Sequence, residues 1–339
     1  MNGSTESPAE SPVAIVGAGS IGIALAIVFA EAGIPVRIVD AAPQMRAAVP
    51  DAVRERLTLL AEFGLNARPA DESAALITAA EDVDWACGSA RLVVECVTER
   101  LDVKRPVLAQ LLHAAPAGVP VVSTSSAFMP SELMGELGAG RERCLVMHPA
   151  NPPYLLPVLE LVPAEFTAPE TVAQVAGITA SAGLEPVPLR RELTGFVFNR
   201  LQGAVLREAY CLVRDGVIDV EGLDTIVRDG LGPRWSVIGP FETVDLNTRG
   251  GIEAHAERLG PAYARMGAER GQHDLWTPEL VAEVTRQRRA ALPLDRWDER
   301  VLWRDRALAA LKRHRVGDAD RSTSENDTND TNDTNEKRS

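Results

Sequence analysis

The chain has 339 residues, 45% of them apolar and 24% charged, which is the balance of a globular protein with room for two cores. Its net charge is −13; the stretch 316–339 holds seven acids against three bases and residues 1–12 add Glu6 and Glu10, which leaves the body near −7 and excludes a nucleic-acid or anionic-membrane surface. Four cysteines, Cys87, Cys96, Cys144 and Cys211, show no CxxC spacing, so they read as reduced core thiols of a cytoplasmic protein with no metal site.

In chain order, residues 1–11 are small and polar and are expected to be disordered. VAIVG (13–17) reads as a buried strand, Ser20 to Ala32 as a helix stopped by Gly33, and Val36 to Val39 as a second strand closing on Asp40. The uncharged run Val13–Ala30 imitates a membrane span. It lacks a basic flank, however, and Gly17, Gly19 and Gly22 interrupt it, so no span is expected. Helices over about 43–63 and 71–80 follow. Next come strand ARLVVECV (90–97), a helix over 102–113, strand VPVVSTS (119–125), a short helix from Pro130 and strand RCLVMH (143–148). PVLELV and EPVPL are two further strands around a helix over 169–182. This alternation predicts an α/β fold, a Rossmann-type doubly wound parallel sheet over 12–193. From Gly195 the pattern turns to helix almost alone, which predicts an all-α C-terminal domain over 194–315 for substrate binding and dimerisation. The remainder, 316–339, contains NDTNDTNDTN and cannot bury enough apolar surface to order itself.

Gly17-Ala18-Gly19-Ser20-Ile21-Gly22 is GxGxxG. It follows a strand, opens a helix and precedes an acid, Asp40, eighteen residues after Gly22. That context identifies a dinucleotide site. Gly17 allows the turn, Gly19 lets the pyrophosphate approach and Gly22 lets helix and strand pack closely, while the helix N-terminus offers free N–H groups to the phosphates. Asp40 is placed to accept from the adenosine ribose. A carboxylate there repels a 2′-phosphate, and Ala41-Ala42-Pro43 offers no adjacent arginine, so the expected cofactor is NAD.

The stretch HPANPPYLLPVLEL (148–161) opens on a histidine and sets Glu160 between Leu159 and Leu161. A carboxylate among leucines needs a partner, and His148 is the candidate. Asn199, in GFVFNRLQ, and the hydroxyls of STSS (123–126) complete a set suited to alcohol oxidation. A base takes the hydroxyl proton, a carboxylate stabilises the imidazolium formed, and neutral donors hold the oxygen. Arg234, in DGLGPRWSVIGP, follows a glycine-rich turn and could clamp a substrate carboxylate.

GAGSIG, ECVTERLDVK, STSS, HPANP, LEL and GFVFNR, in this order, resemble the L-3-hydroxyacyl-CoA dehydrogenase superfamily over about residues 12–315. HPANPPYLLPVLELVP, DGLGPRWSVIGPFET and WRDRALAALKRHR resemble its lambda-crystallin and L-gulonate 3-dehydrogenase branch more closely. The resemblance implies an NAD-dependent 3-hydroxy acid dehydrogenase acting on a small hydroxy acid. His148 would be the general base and Glu160 its partner, with Ser125 (Ser123 being the alternative) and Asn199 holding the reacting oxygen. Glu99 and Lys104 would border the nicotinamide half of the cofactor, Asn151 would touch it near the substrate, and Ser20 and Ile21 would lie against the pyrophosphate. L-Gulonate suits the branch; 3-hydroxybutyryl-CoA and L-carnitine are the alternative substrates, and a crystallin-like structural role is the alternative of another class. A homodimer through the helical domain is expected, because the helix over 196–213 has more apolar face than one small domain hides.

Overall fold

The computed structural model describes residues 11–236, 239–247 and 251–270, with scattered positions between 279 and 313. The disorder expected of the two termini therefore lies outside the described residues, Ser11 apart.

The first half alternates strand and helix. Strand β1 (Val13–Val16) leads to helix α1 (Ser20–Glu31), β2 (Val36–Val39), α2 (Pro43–Glu62), α3 (Ala70–Ala75), β3 (Ile77–Ala80) and α4 (Val83–Cys87). Then come β4 (Leu92–Glu95), α5 (Leu101–Ala114), β5 (Val121–Ser123), α6 (Pro130–Met134), β6 (Cys144–Pro149), β7 (Val158–Val162), α7 (Pro169–Ser181) and β8 (Glu185–Pro188). The strands form one sheet in the order β3-β2-β1-β4-β5-β6-β7-β8. Helix covers both faces, so strand residues are buried on alternate sides. Val13 and Ile15 join one apolar cluster with α1, α2 and α7, whereas Ala14 and Val16 join another with α4, α5 and α6. Helix α1 is apolar all round and is buried over most of its surface.

Two expectations are corrected. The segment expected as a helix over 71–80 is a short helix, α3, followed by edge strand β3, which pairs in parallel with β2. The sheet is not wholly parallel either: β7 runs antiparallel to β6. Only eight residues separate Pro149 from Val158, too few for the crossover that a parallel pair needs.

After β8 every described element is helical: α8 (Phe198–Arg214), α9 (Val220–Thr225), a π-helical turn at Ile226–Leu231, α10 (Gly232–Trp235), α11 (Pro240–Asn247), α12 (Gly251–Arg270) and a 3₁₀ turn at Leu294–Arg296. The chain divides into two compact units, one ending at Asn199 and joined by the described residues beyond 301, the other Arg200–Arg300. In the first unit Ala309 is buried in the sheet's core and Arg306 pairs with Glu62 at 2.7 Å. In the second, Arg270 of α12 reaches Glu208 and Asp215, holding α12 against the last turns of α8. No helix among the described residues is long and apolar enough to cross a membrane.

Candidate active site

The carboxyl ends of β1, β2, β4, β5 and β6 share one edge of the sheet, the edge at which doubly wound folds bind ligands. Gly17, just past β1, has φ +115°, and a Cβ there would sit 2.4 Å from the Cys96 carbonyl oxygen. A Cβ on Gly22 would sit 1.9 Å from the Gly17 carbonyl oxygen, so the turn and the first helical turn close on one another. Gly19 between them faces open space. Ser20 and Ile21 open α1 beside it, Ser20 exposed and Ile21 half-buried. The cradle therefore closes on the protein side and opens on the ligand side.

Asp40 follows β2. Its Oδ2 accepts from the Ala18 amide and its Oδ1 from the Ala42 amide, both at 2.9 Å, which locks the carboxylate beside the glycine turn. A cavity of about 600 Å³ runs from Gly17 and Gly19 past Asp40 to Glu81 and Thr98. An adenine dinucleotide fits these residues. Although no arginine adjoins Asp40 in sequence, α2 brings one back: the Arg46 guanidinium donates to the Asp40 carbonyl oxygen at 2.7 Å.

At the ends of β4 and β5 lies a buried polar network of which the sequence showed only part. Glu95 ends β4 wholly buried, and Lys104 of α5, 1% exposed, donates to it at 2.8 Å. Ser123 donates to the other Glu95 oxygen at 2.5 Å, and the Val97 amide donates to the first at 2.7 Å. Burial pushes the Glu95 carboxyl up, against the pull of Lys104, Ser123 and Val97. Lys104 also meets Glu99 at 3.1 Å. Glu99 in turn accepts from the Ser125 hydroxyl at 2.6 Å and from the Ser126 and Ala127 amides. Burial raises the Glu99 carboxyl, but Ser125, Lys104 and the Ala127 amide outweigh it and hold the group below the usual carboxylate range. The two serines thus have different partners: Ser123 belongs to Glu95, and Ser125 to Glu99.

His148 and Glu160 are direct cross-strand partners in the β6–β7 ladder. Opposed residues of an antiparallel pair project from the same face, and here His148 Nδ1 lies 2.8 Å from Glu160 Oε2. Both side chains are buried. The second oxygen, Oε1, accepts from the amides of Val197 (2.7 Å) and Phe198 (3.0 Å), the entrance of α8. Burial raises the Glu160 carboxyl, but the His148 bond and the Phe198 and Val197 amides prevail and hold it below the usual range. Phe196, fully buried at φ +49°, and Phe198 flank the imidazole, with ring centroids 5.4 and 6.1 Å away.

Ser123 pairs with Val146 in the β5–β6 register; Ser125 and His148 each lie two residues further on, at one level of the sheet edge. Asn199, the last residue of the first unit, donates through Nδ2 to the Ser126 carbonyl at 2.8 Å. Asn151 is exposed just beyond β6. Arg234 falls in α10 rather than in a loop, exposed, in the second unit. Among the described residues no group of three or more His, Cys, Asp or Glu could hold a metal.

A doubly wound sheet with a glycine cradle, a ribose-side acid and an imidazole–carboxylate pair on one edge defines a nicotinamide-nucleotide oxidoreductase. The chain belongs to the 3-hydroxyacyl-CoA dehydrogenase family: residues 12–192 match its NAD-binding domain and residues 195–290 its C-terminal domain. Its cofactor is NAD. The chain is 35% identical to lambda-crystallin of Oryctolagus cuniculus over 91% of its own length and 98% of that protein's. It is 36% identical to an L-carnitine dehydrogenase of Pseudomonas aeruginosa over 73% of its length and 75% of that protein's. In structure it is similar to the NAD+-dependent dismutase 5-formyl-3-hydroxy-2-methylpyridine 4-carboxylic acid 5-dehydrogenase, with a TM-score of 0.77 and 28% identity, covering 90% of this chain and 98% of that one.

Proposed function

We propose that this chain oxidises the 3-hydroxyl of a small hydroxy acid of the L-gulonate type to the 3-keto acid. The cross-strand contact of His148 with Glu160 carries the reading. An ionised carboxylate only accepts hydrogen bonds, so Nδ1 is the protonated nitrogen and Nε2 keeps its lone pair. Nε2 takes the hydroxyl proton, and Glu160 stabilises the resulting imidazolium. NAD, when bound, supplies the hydride acceptor. Phe196, buried, and Phe198, exposed, flank the imidazole. The Asn199 amide has a second N–H beyond the one given to Ser126, and Ser125 reaches a substrate oxygen by releasing Glu99; these two hold the reacting oxygen in this reading. Glu99, Lys104 and Asn151 border the nicotinamide side.

Similarity to an L-carnitine dehydrogenase and to a dehydrogenase of a pyridine carboxylic acid, both of which act on free acids, supports a free acid over a thioester. The test is a steady-state comparison of L-gulonate, L-carnitine and 3-hydroxybutyryl-CoA with NAD. Turnover of the thioester alone would retire the free-acid substrate, and NADH binding without ketoacid reduction would favour a structural role. The same reading includes a homodimer through α8, whose Leu201, Val205 and Leu206 are exposed. A monomer in sedimentation at micromolar concentration would overturn that part.

A further inference from the structure

We infer that Glu81 is a second determinant of NAD over NADP, acting by holding Arg46 away from the position of a 2′-phosphate. The inference rests on the reading of Asp40 as the ribose acid. Three charged side chains meet at that end of the cleft. Asp40 and Glu81 both wall the cavity. Arg46, in the first turns of α2, spends Nη1 on the carbonyl oxygens of Asp40 (2.7 Å) and Ala41 (3.0 Å) and gives Nη2 to Glu81 at 2.8 Å. A guanidinium beside a ribose is otherwise suited to grip a phosphate through two parallel N–H bonds. Here its outer edge is occupied by a carboxylate, and the trio carries a net charge of −1. A dianionic 2′-phosphate therefore meets Asp40, meets Glu81, and finds Arg46 engaged. Removing Glu81 changes both factors: the trio becomes neutral, and the outer edge of Arg46 turns available.

Glu81 is 76% exposed, so its replacement leaves the core untouched, and circular dichroism checks that each variant is folded. The experiment is a fluorescence titration of the full chain with NADH and with NADPH, for the wild type, Glu81→Ala and Glu81→Ala/Arg46→Met. We expect Glu81→Ala to tighten NADPH about tenfold, with a smaller change for NADH, and the gain to shrink as salt rises. The double variant should lose the gain, because the guanidinium supplies it. Unchanged NADPH affinity in Glu81→Ala, or a gain that survives loss of Arg46, overturns the inference. A wild type that binds neither nucleotide would instead sink the cofactor reading beneath it, so the two failures are distinguishable.

Discussion

Replacing Glu160 by Gln isolates what its charge does, because the two side chains have one shape. Three donors converge on Glu160: His148 Nδ1 on one oxygen, the Val197 and Phe198 amides on the other. A glutamine keeps a carbonyl oxygen for the two amides and turns its NH₂ toward the imidazole. Nδ1 must then accept, the ring proton moves to Nε2, and Nε2 can no longer take a proton from an alcohol. The imidazolium also loses its counter-charge. Misorienting the base in this way costs about 10²–10⁴-fold in kcat. Folding suffers less, since the amide acceptor survives. Glu160→Ala removes all three acceptances and should destabilise far more, about 1–3 kcal/mol for each buried donor left unpaired. The assay is NADH formation under saturating substrate, with NADH binding and the melting temperature measured in parallel. A Glu160→Gln enzyme that turns over near the wild-type rate would refute the assignment of Nε2 as the base.

Other outcomes follow from the same geometry. Lys104→Met strips buried Glu95 of its counter-charge, leaving it only the Ser123 and Val97 bonds, and should cost about 3–5 kcal/mol by denaturant titration; Glu95→Gln/Lys104→Met should recover part of it, and no recovery would show that the pair is not the unit. Gly17→Ala forces a Cβ onto the Cys96 carbonyl. The backbone conformation alone should cost about 1–3 kcal/mol, and NADH affinity should fall with it; an unchanged melting temperature would contradict the tight turn. Glu160 and Glu99 both titrate below the usual range when folded. Their stabilisation is complete above the unfolded carboxylate value and is lost as pH falls through the folded values. Glu160→Gln should therefore show a shallower acid limb in melting temperature against pH, and parallel limbs would argue against the shift.

The first βαβ unit and the His148–Glu160 pair were legible because each places an unusual residue where the pattern forbids it: three glycines in an apolar run, an acid among leucines. By that logic Glu95, closing the apolar run LVVE, is equally out of place, whereas the family resemblance points to Glu99 and Lys104. Edge strand β3 (ITAA) was hidden by the helix-favouring ADESAAL before it, and it is only partly buried, so no clean alternation marks it. The reversal of β7 was written in the short connection from β6. The amides of Val197 and Phe198 leave no trace in sequence, since any residue offers a backbone N–H. Arg46 is visible in the sequence as one of several arginines after Asp40, but its return to the Asp40 backbone depends on the winding of α2, which spacing alone does not show.

The turnaround between β6 and β7 is itself packed, with Tyr154 and Leu155 buried in the same cluster as Leu159 and Leu161. Because strand side chains alternate, sliding β7 by a single residue would send Glu160 to the far side of the sheet and pull Leu159 and Leu161 out of their cluster together. Misalignment of the hairpin and loss of the imidazole's counter-ion are thus one event. Variants with altered connection length should fail as a whole rather than persist as folded proteins with a weakened base.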